Sequence, residues 1–226
     1  MENFYQNTFS NNTTLSKAFQ NMSIGLFITA ITSFVAYSSG LYYTVVISFP
    51  MIGILLLIVQ VVLTFTMSRS LNSTTSVGSM RAQFFVYSLM MGFTMASLGY
   101  AYSLGQISAA FLVSAIYFIC LAIVGKTTKK DLSKLGTICT VALFALVITQ
   151  LLLTLFRVSM DVRLWSIVGL LIFTGITAWD IQKLDRMSYG LTNDKLAIYF
   201  ALELYLDFIN IFLYILRLMA SRSNND

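Results

Sequence analysis

Apolar runs of about 20 residues recur along the chain, each long enough to cross a hydrocarbon core about 30 Å thick. They predict seven helices, at about 21–42, 44–67, 82–103, 107–125, 136–156, 162–187 and 195–219. The connectors SRSLNSTTSVGSMR, KTTKKDLSKLG and MSYGLTND are short and polar, and none is long enough to separate domains. The pattern therefore reads as a polar N-terminal tail over 1–20, one seven-helix domain over 21–219 and a polar C-terminal tail over 220–226. The opening MENFYQNTFSNNTTLSKAFQN has neither a basic n-region nor a small-residue cleavage site, so it is expected to be a retained tail.

Composition sharpens this picture. Of the 226 residues 58% are hydrophobic and 10% charged, and mean hydropathy is +0.81. Soluble domains carry about 25% charged residues. The expected class is an all-α polytopic membrane protein. The chain has no histidine, which removes Ser-His and Cys-His nucleophile pairs, HExxH zinc sites and histidine-based metal sites. No GxGxxG or GxxxxGK[ST] occurs. Cys120 and Cys139 fall in apolar runs and read as small packing residues. No cofactor and no enzymatic chemistry is expected.

The net charge of +5 reflects topology rather than nucleic-acid binding. Ten of the fourteen cations lie in the N-terminal tail and the connectors after helices 2, 4 and 6; Arg157, Arg163, Arg217 and Arg222 lie on the other side. The positive-inside rule puts the N-terminus in the cytoplasm and, with seven spans, the C-terminus outside. A six-span reading with a re-entrant last segment would return the C-terminus to the cytoplasm.

The nine acidic residues carry the candidate chemistry. None lies between Glu2 and Asp131, whereas Asp180, Glu203 and Asp207 stand in apolar surroundings. A membrane-centred aspartate costs about 2.5–3.5 kcal/mol on insertion scales, so such a group is expected to face a cavity or a partner. Glu203, Asp207, Asn210 and Tyr214 share one stripe of helix 7, and Thr174, Thr177 and Asp180 one stripe of helix 6. The midpoint between Asp180 and Asp207 falls at Asn193 and Asp194, in the turn between these helices. In an antiparallel hairpin the two carboxylates are then level and able to meet. Two carboxylates in poorly hydrated contact do not both stay ionised, so one proton is shared. Loss of that proton would push the helices apart and expose anionic oxygens to a hard cation. Calcium wants six to eight oxygens, so Asp180 and Asp207 would form only a weak, transient site. A purely structural, protonated Asp–Asp hydrogen bond is the plain alternative. For Glu203 the alternative is contact with headgroups, and for Asn210 an interhelical bond.

The segments TGITAWDIQKLDRM, ALELYLDFINIFLYILRLM and SAAFLVSAIYFICLAIVGKTTKKDLSKLG resemble the transmembrane Bax inhibitor motif (Bax inhibitor-1-like) family in its bacterial branch. The resemblance covers about residues 80–220. It implies a seven-helix bundle with the C-terminal helix central, and a pH-sensitive calcium leak across a bacterial plasma membrane. The family's paired aspartates map onto Asp180 and Asp207, as proton-sharing sensor and gate. Arg69 and Arg81 are both candidates for the family's arginine latch. Two departures stand out. Helix 2 offers only Gln60 where related leak channels carry an acid, and Pro50 is the only proline, so the family's proline in helix 3 is missing. Glu203, Asn210 and Gln60 are the expected ion-path or second-layer residues.

The leading expectation is thus a pH-gated calcium leak, with calcium, protons and membrane lipid as partners. The main alternative is a non-conducting regulator that binds a membrane-protein partner such as a membrane protease. Proton-coupled transport of a small solute and an aspartyl intramembrane protease built on the same pair are the remaining classes.

Overall fold

The computed structural model describes the backbone of residues 2–71, 73–188 and 193–223, and side chains over 14–71, 73–188 and 193–221. Among these residues it is all helix: α1 Glu2–Ser38, α2 Leu41–Ser48, α3 Ile52–Ser70, α4 Val77–Met95, α5 Leu98–Ala101, α6 Leu104–Thr127, α7 Ser133–Leu155, α8 Val162–Met187 and α9 Asp194–Ser223. Seven helical stretches are long and apolar enough to cross a membrane: Thr14–Ser38, Ile52–Ser70, Val77–Ala101, Leu104–Thr127, Ser133–Leu155, Val162–Met187 and Asp194–Ser221. The segment 1–20, expected as a tail, is helical from Glu2 onward and continuous with the first span. Residues 224–226 of the expected C-terminal tail, and the Arg222 side chain, lie outside what is described.

The second predicted helix, 44–67, is broken in the structure. Pro50 has no N–H and disfavours the helical region for the residue before it. Phe49 accordingly sits at φ −136°, ψ 80° and ends α2, and α3 restarts at Ile52. The third span is interrupted at Ala96 and Ser97, between α4 and α5, without a proline.

Burial differs sharply among the spans. In α3 only 6% of the most apolar window is buried and in α7 11%, against 50% in α8 and 72% in α9. The last helix is therefore the best enclosed, in keeping with its expected central place. Contacts group the chain into two compact units: the chain up to Ser103 with Met187–Tyr205, and Leu104–Arg186 with the chain from Leu206 on. Thus α9 supplies its first half to one unit and its second half to the other.

In the first unit α1 packs on α4, and α3 on α4. Glycines allow the closest approach. A Cβ at Gly92 would come within 2.7 Å of the Thr29 carbonyl oxygen, and one at Gly25 within 2.5 Å of the Phe84 ring. Small residues at such crossings let membrane helices gain packing contact where lipid supplies no hydrophobic drive. Tyr205 of α9 fills the centre. Its hydroxyl lies 2.6 Å from Thr29 Oγ1, and its ring stands edge-on to Phe84 and Tyr87 at 5.7 and 6.1 Å. Asn193 caps α9 by accepting from the Lys195 and Leu196 N–H groups. Lys17 pairs with Asp194 at 2.7 Å, and Lys195 Nζ donates to the Ser73 carbonyl at 2.7 Å.

In the second unit α8 is approached by both α6 and α7. A Cβ at Gly125 would lie 2.5 Å from the Ala178 carbonyl oxygen; one at Gly136 would strike the Trp179 ring, and one at Gly175 the Cys139 sulfur. Phe111 and Phe118 of α6 meet Phe208 of α9 at 5.4 and 5.7 Å. The α6–α7 connector is pinned to α8 by side chains. Gln182 accepts from the Leu132 N–H at 2.9 Å and donates to the Lys130 carbonyl at 2.8 Å. Asp131 accepts from the Ser133 N–H and hydroxyl and from Arg186 Nη1 at 2.8 Å. At its other end α7 closes with Arg157 at φ 54°, while the Val158 N–H reaches back to the Leu153 carbonyl.

Two outcomes follow from this packing. Gly125→Ala places a methyl against rigid backbone and is expected to cost about 1–3 kcal/mol. Gly53→Ala meets nothing within 4 Å and should cost nothing; melting of the two variants in detergent compares them. The Ser133 hydroxyl and N–H, with Arg186, lower the Asp131 carboxyl to about 2. A lowered folded-state value means that its stabilising contribution is full above the ordinary aspartate range and fades as pH falls towards 2. A carbon-13 titration of Asp131 should show that low midpoint, and Ser133→Ala should move it back towards the ordinary value.

Candidate functional site

The α8–α9 hairpin carries the two buried aspartates. Tyr214 ties its two helices together: its ring packs at 6.0 Å from that of Phe173 and covers Gly169, where a Cβ would strike it. Asp180 stands seven residues after Phe173, and Asp207 seven before Tyr214, which is two turns along each helix. In antiparallel helices those steps run the same way. Both aspartates thus lie two turns from this contact, displaced in the same direction along the hairpin. Asp180 is 6% exposed and Asp207 4%, and each has an interaction partner within the protein.

The walls of this region are apolar with a few hydroxyls. One turn before Asp180, Thr177 is fully enclosed, and its Oγ1 has no hydrogen-bond partner among the described residues. One turn further back, Thr174 donates to the Leu170 carbonyl at 2.6 Å and bonds the Tyr117 hydroxyl of α6 at 2.8 Å. Beside Asp207, Phe208 is clasped by Phe111 and Phe118. Among the described residues no group of three or more Asp, Glu, Cys and His side chains could hold a metal ion. The pair offers two carboxylates only. Any cation there must complete its shell with water, backbone carbonyls or neutral side chains.

The other expected residues are spread more widely. The least enclosed line along α9 runs Tyr199, Glu203, Leu206, Asn210, Leu213 and Arg217, all partly exposed, while Asp207 and Tyr214 are buried. The stripe read from spacing thus straddles the edge of the enclosed face. Asn210 Nδ2 donates to the Leu206 carbonyl of its own helix at 2.8 Å. Glu203 belongs to the first compact unit, together with Gln60, Arg69 and Arg81. Gln60 is half-buried on α3; Arg69, at the end of α3, and Arg81, early in α4, are both exposed.

Spacing did not single out Gln182, the buried amide that fixes the α6–α7 connector two residues beyond Asp180. Its only sequence signal is its polarity near the end of an apolar run. Trp179 covers Gly136 and carries Lys183 Nζ 5.2 Å over its ring.

Comparison with known sequences adds a lineage to this geometry. The sequence profile described as "Inhibitor of apoptosis-promoting Bax1" matches residues 11–224. A protein of Borreliella burgdorferi is 35% identical over 216 residues, 93% of each chain. The inner membrane protein YbhL of Escherichia coli K12 is 32% identical over 218 residues, covering 93% of this chain and 92% of that one. YrjE of Lactococcus lactis is 33% identical over 227 residues, covering 98% and 96%. This seven-span membrane protein belongs to the Bax inhibitor-1-like family, in its bacterial branch.

Proposed function

We propose that this protein is a calcium leak channel of a bacterial plasma membrane, gated by proton sharing between Asp180 and Asp207. The reading rests on two buried carboxylates, one on α8 and one on α9, each two turns from the Phe173–Tyr214 contact. Ionising both in such a place is opposed by repulsion and by desolvation, so one proton bridges them and the helices stay clasped. Loss of that proton turns attraction into repulsion and presents two anionic oxygens to a hard cation. An incomplete ligand set suits passage, because an ion that binds too well does not leave. Glu203, Asn210 and Gln60 are candidate ion-path groups, and Arg69 or Arg81 the candidate latch on the pair. The cation bias of the connectors supports a cytoplasmic N-terminus.

Purified protein in vesicles loaded with a calcium dye is expected to pass calcium at a rate that changes across neutral pH. Asp180→Asn and Asp207→Asn should each remove most of that pH response, because an amide cannot exchange the proton. Parent-like pH profiles in both variants would refute the sensor. Absence of flux at every pH would favour a non-conducting regulator that acts through a membrane-protein partner.

A further inference from the structure

The α6–α7 connector and the turns beside it carry Lys126, Lys129, Lys130 and Lys134, all exposed. Among the described residues none of these four ammonium groups has an ion-pair partner. Asp131, the one acid between them, is engaged by Arg186 at 2.8 Å, so the lysine charge stays unbalanced. The flanking spans end at Thr127 and begin at Ser133. A link so short, tied to α8 through the Gln182 bonds at Lys130 and Leu132, holds its lysines at headgroup depth. Beside them the first two turns of α7 form an open groove of about 390 Å³, lined by Ser133, Lys134, Thr137 and Ile138. Lys134 gives this groove its charge, and Ile138, 66% exposed, its apolar side. Beyond Ile138 the same face of α7 continues through Val141, Ala145 and Ile148, all exposed. A larger groove of about 530 Å³ on α1, lined by Ser16, Phe19, Gln20, Ser23 and Ile24, has no charged residue.

We infer that the α7 groove, with the connector lysines, binds the headgroup of an anionic phospholipid whose acyl chain lies along α7. Basic clusters at the edge of a span attract anionic headgroups, and the attraction falls off within a Debye length. Lysines held at headgroup depth act well inside that distance. A soluble anion would use the charge alone. A lipid uses both halves of the groove, because its phosphate meets Lys134 while its chain follows Ile138 and Val141 into the hydrocarbon layer. A zwitterionic lipid carries its own ammonium beside the phosphate, which weakens its attraction to lysine and leaves the anionic lipid favoured. The site involves neither Asp180 nor Asp207, so it stands or falls apart from any ion flux.

Photolabelling of the full chain in phosphatidylcholine nanodiscs tests this. The discs are doped with phosphatidylglycerol or phosphatidylcholine bearing a diazirine high on one acyl chain, and labelled residues are read by peptide mass spectrometry. Phosphatidylglycerol is expected to label residues 133–141 about fivefold more than phosphatidylcholine does, the factor that one lysine at a membrane surface supplies. The uncharged α1 groove should be labelled equally by both. Replacing Lys130→Gln and Lys134→Gln together should abolish the preference, whereas Lys130→Arg with Lys134→Arg should keep it. Equal labelling of 133–141 by the two lipids in the parent chain would overturn the site, and that reading needs no variant to fold. So would a preference that persists in the double glutamine variant. Excess inorganic phosphate or a polyglutamate peptide should leave the labelling unchanged. Displacement by the first would assign the groove to free phosphate, and by the second to an acidic protein segment; either result refutes the lipid.

Discussion

A carboxylate survives inside a bilayer only if protein, not lipid, surrounds it, and that requirement orders the packing around α8. Enclosure needs neighbouring helices to come close, and closeness needs side chains that take no room. Gly125 brings α6 against the backbone at Ala178; Gly136 and Gly175 do the same between α7 and α8. Gly169 admits the Tyr214 ring between α8 and α9. The burial of Asp180 and Asp207 is thus downstream of glycines that carry no chemistry themselves.

Much of this architecture is legible in the sequence because lipid writes a coarse rule into the chain. The seven apolar runs and their order follow from fixed span length and a fixed helical rise. Counting outwards from Asn193 puts Asp180 and Asp207 equally far from the turn, because rise per residue does not depend on neighbours. What escapes such counting does depend on neighbours. Spacing alone does not tell that Asp207 is enclosed while Glu203 and Asn210 lie along the open edge of α9; that depends on which helices cover which side. Gln182 offers only its polarity, and the loop it holds is remote in sequence. Pro50 is plain to see, but the break it makes is hidden by its surroundings: an apolar run can be continuous while the backbone hydrogen bonding through it is not.

Connections outside the spans show a second economy. The loop after α6 is short, yet Gln182, Asp131 and Arg186 tie it to the end of α8 through amide, carboxylate and guanidinium groups. Water competes for the exposed Asp131 and Arg186 groups, whereas the Gln182 amide is buried. Together they leave the connector a single seat on the helix that also carries Asp180.

The bare flank of α3 has an evolutionary corollary. Hydrocarbon chains refuse charge but cannot distinguish valine from isoleucine or leucine, so a helix with 6% of its window covered answers to hydrophobicity and little else. Drift there is cheap. The heavily enclosed α9 must keep shape as well as polarity, and so ancestry is expected to stay readable longest in the stretch that lipids touch least.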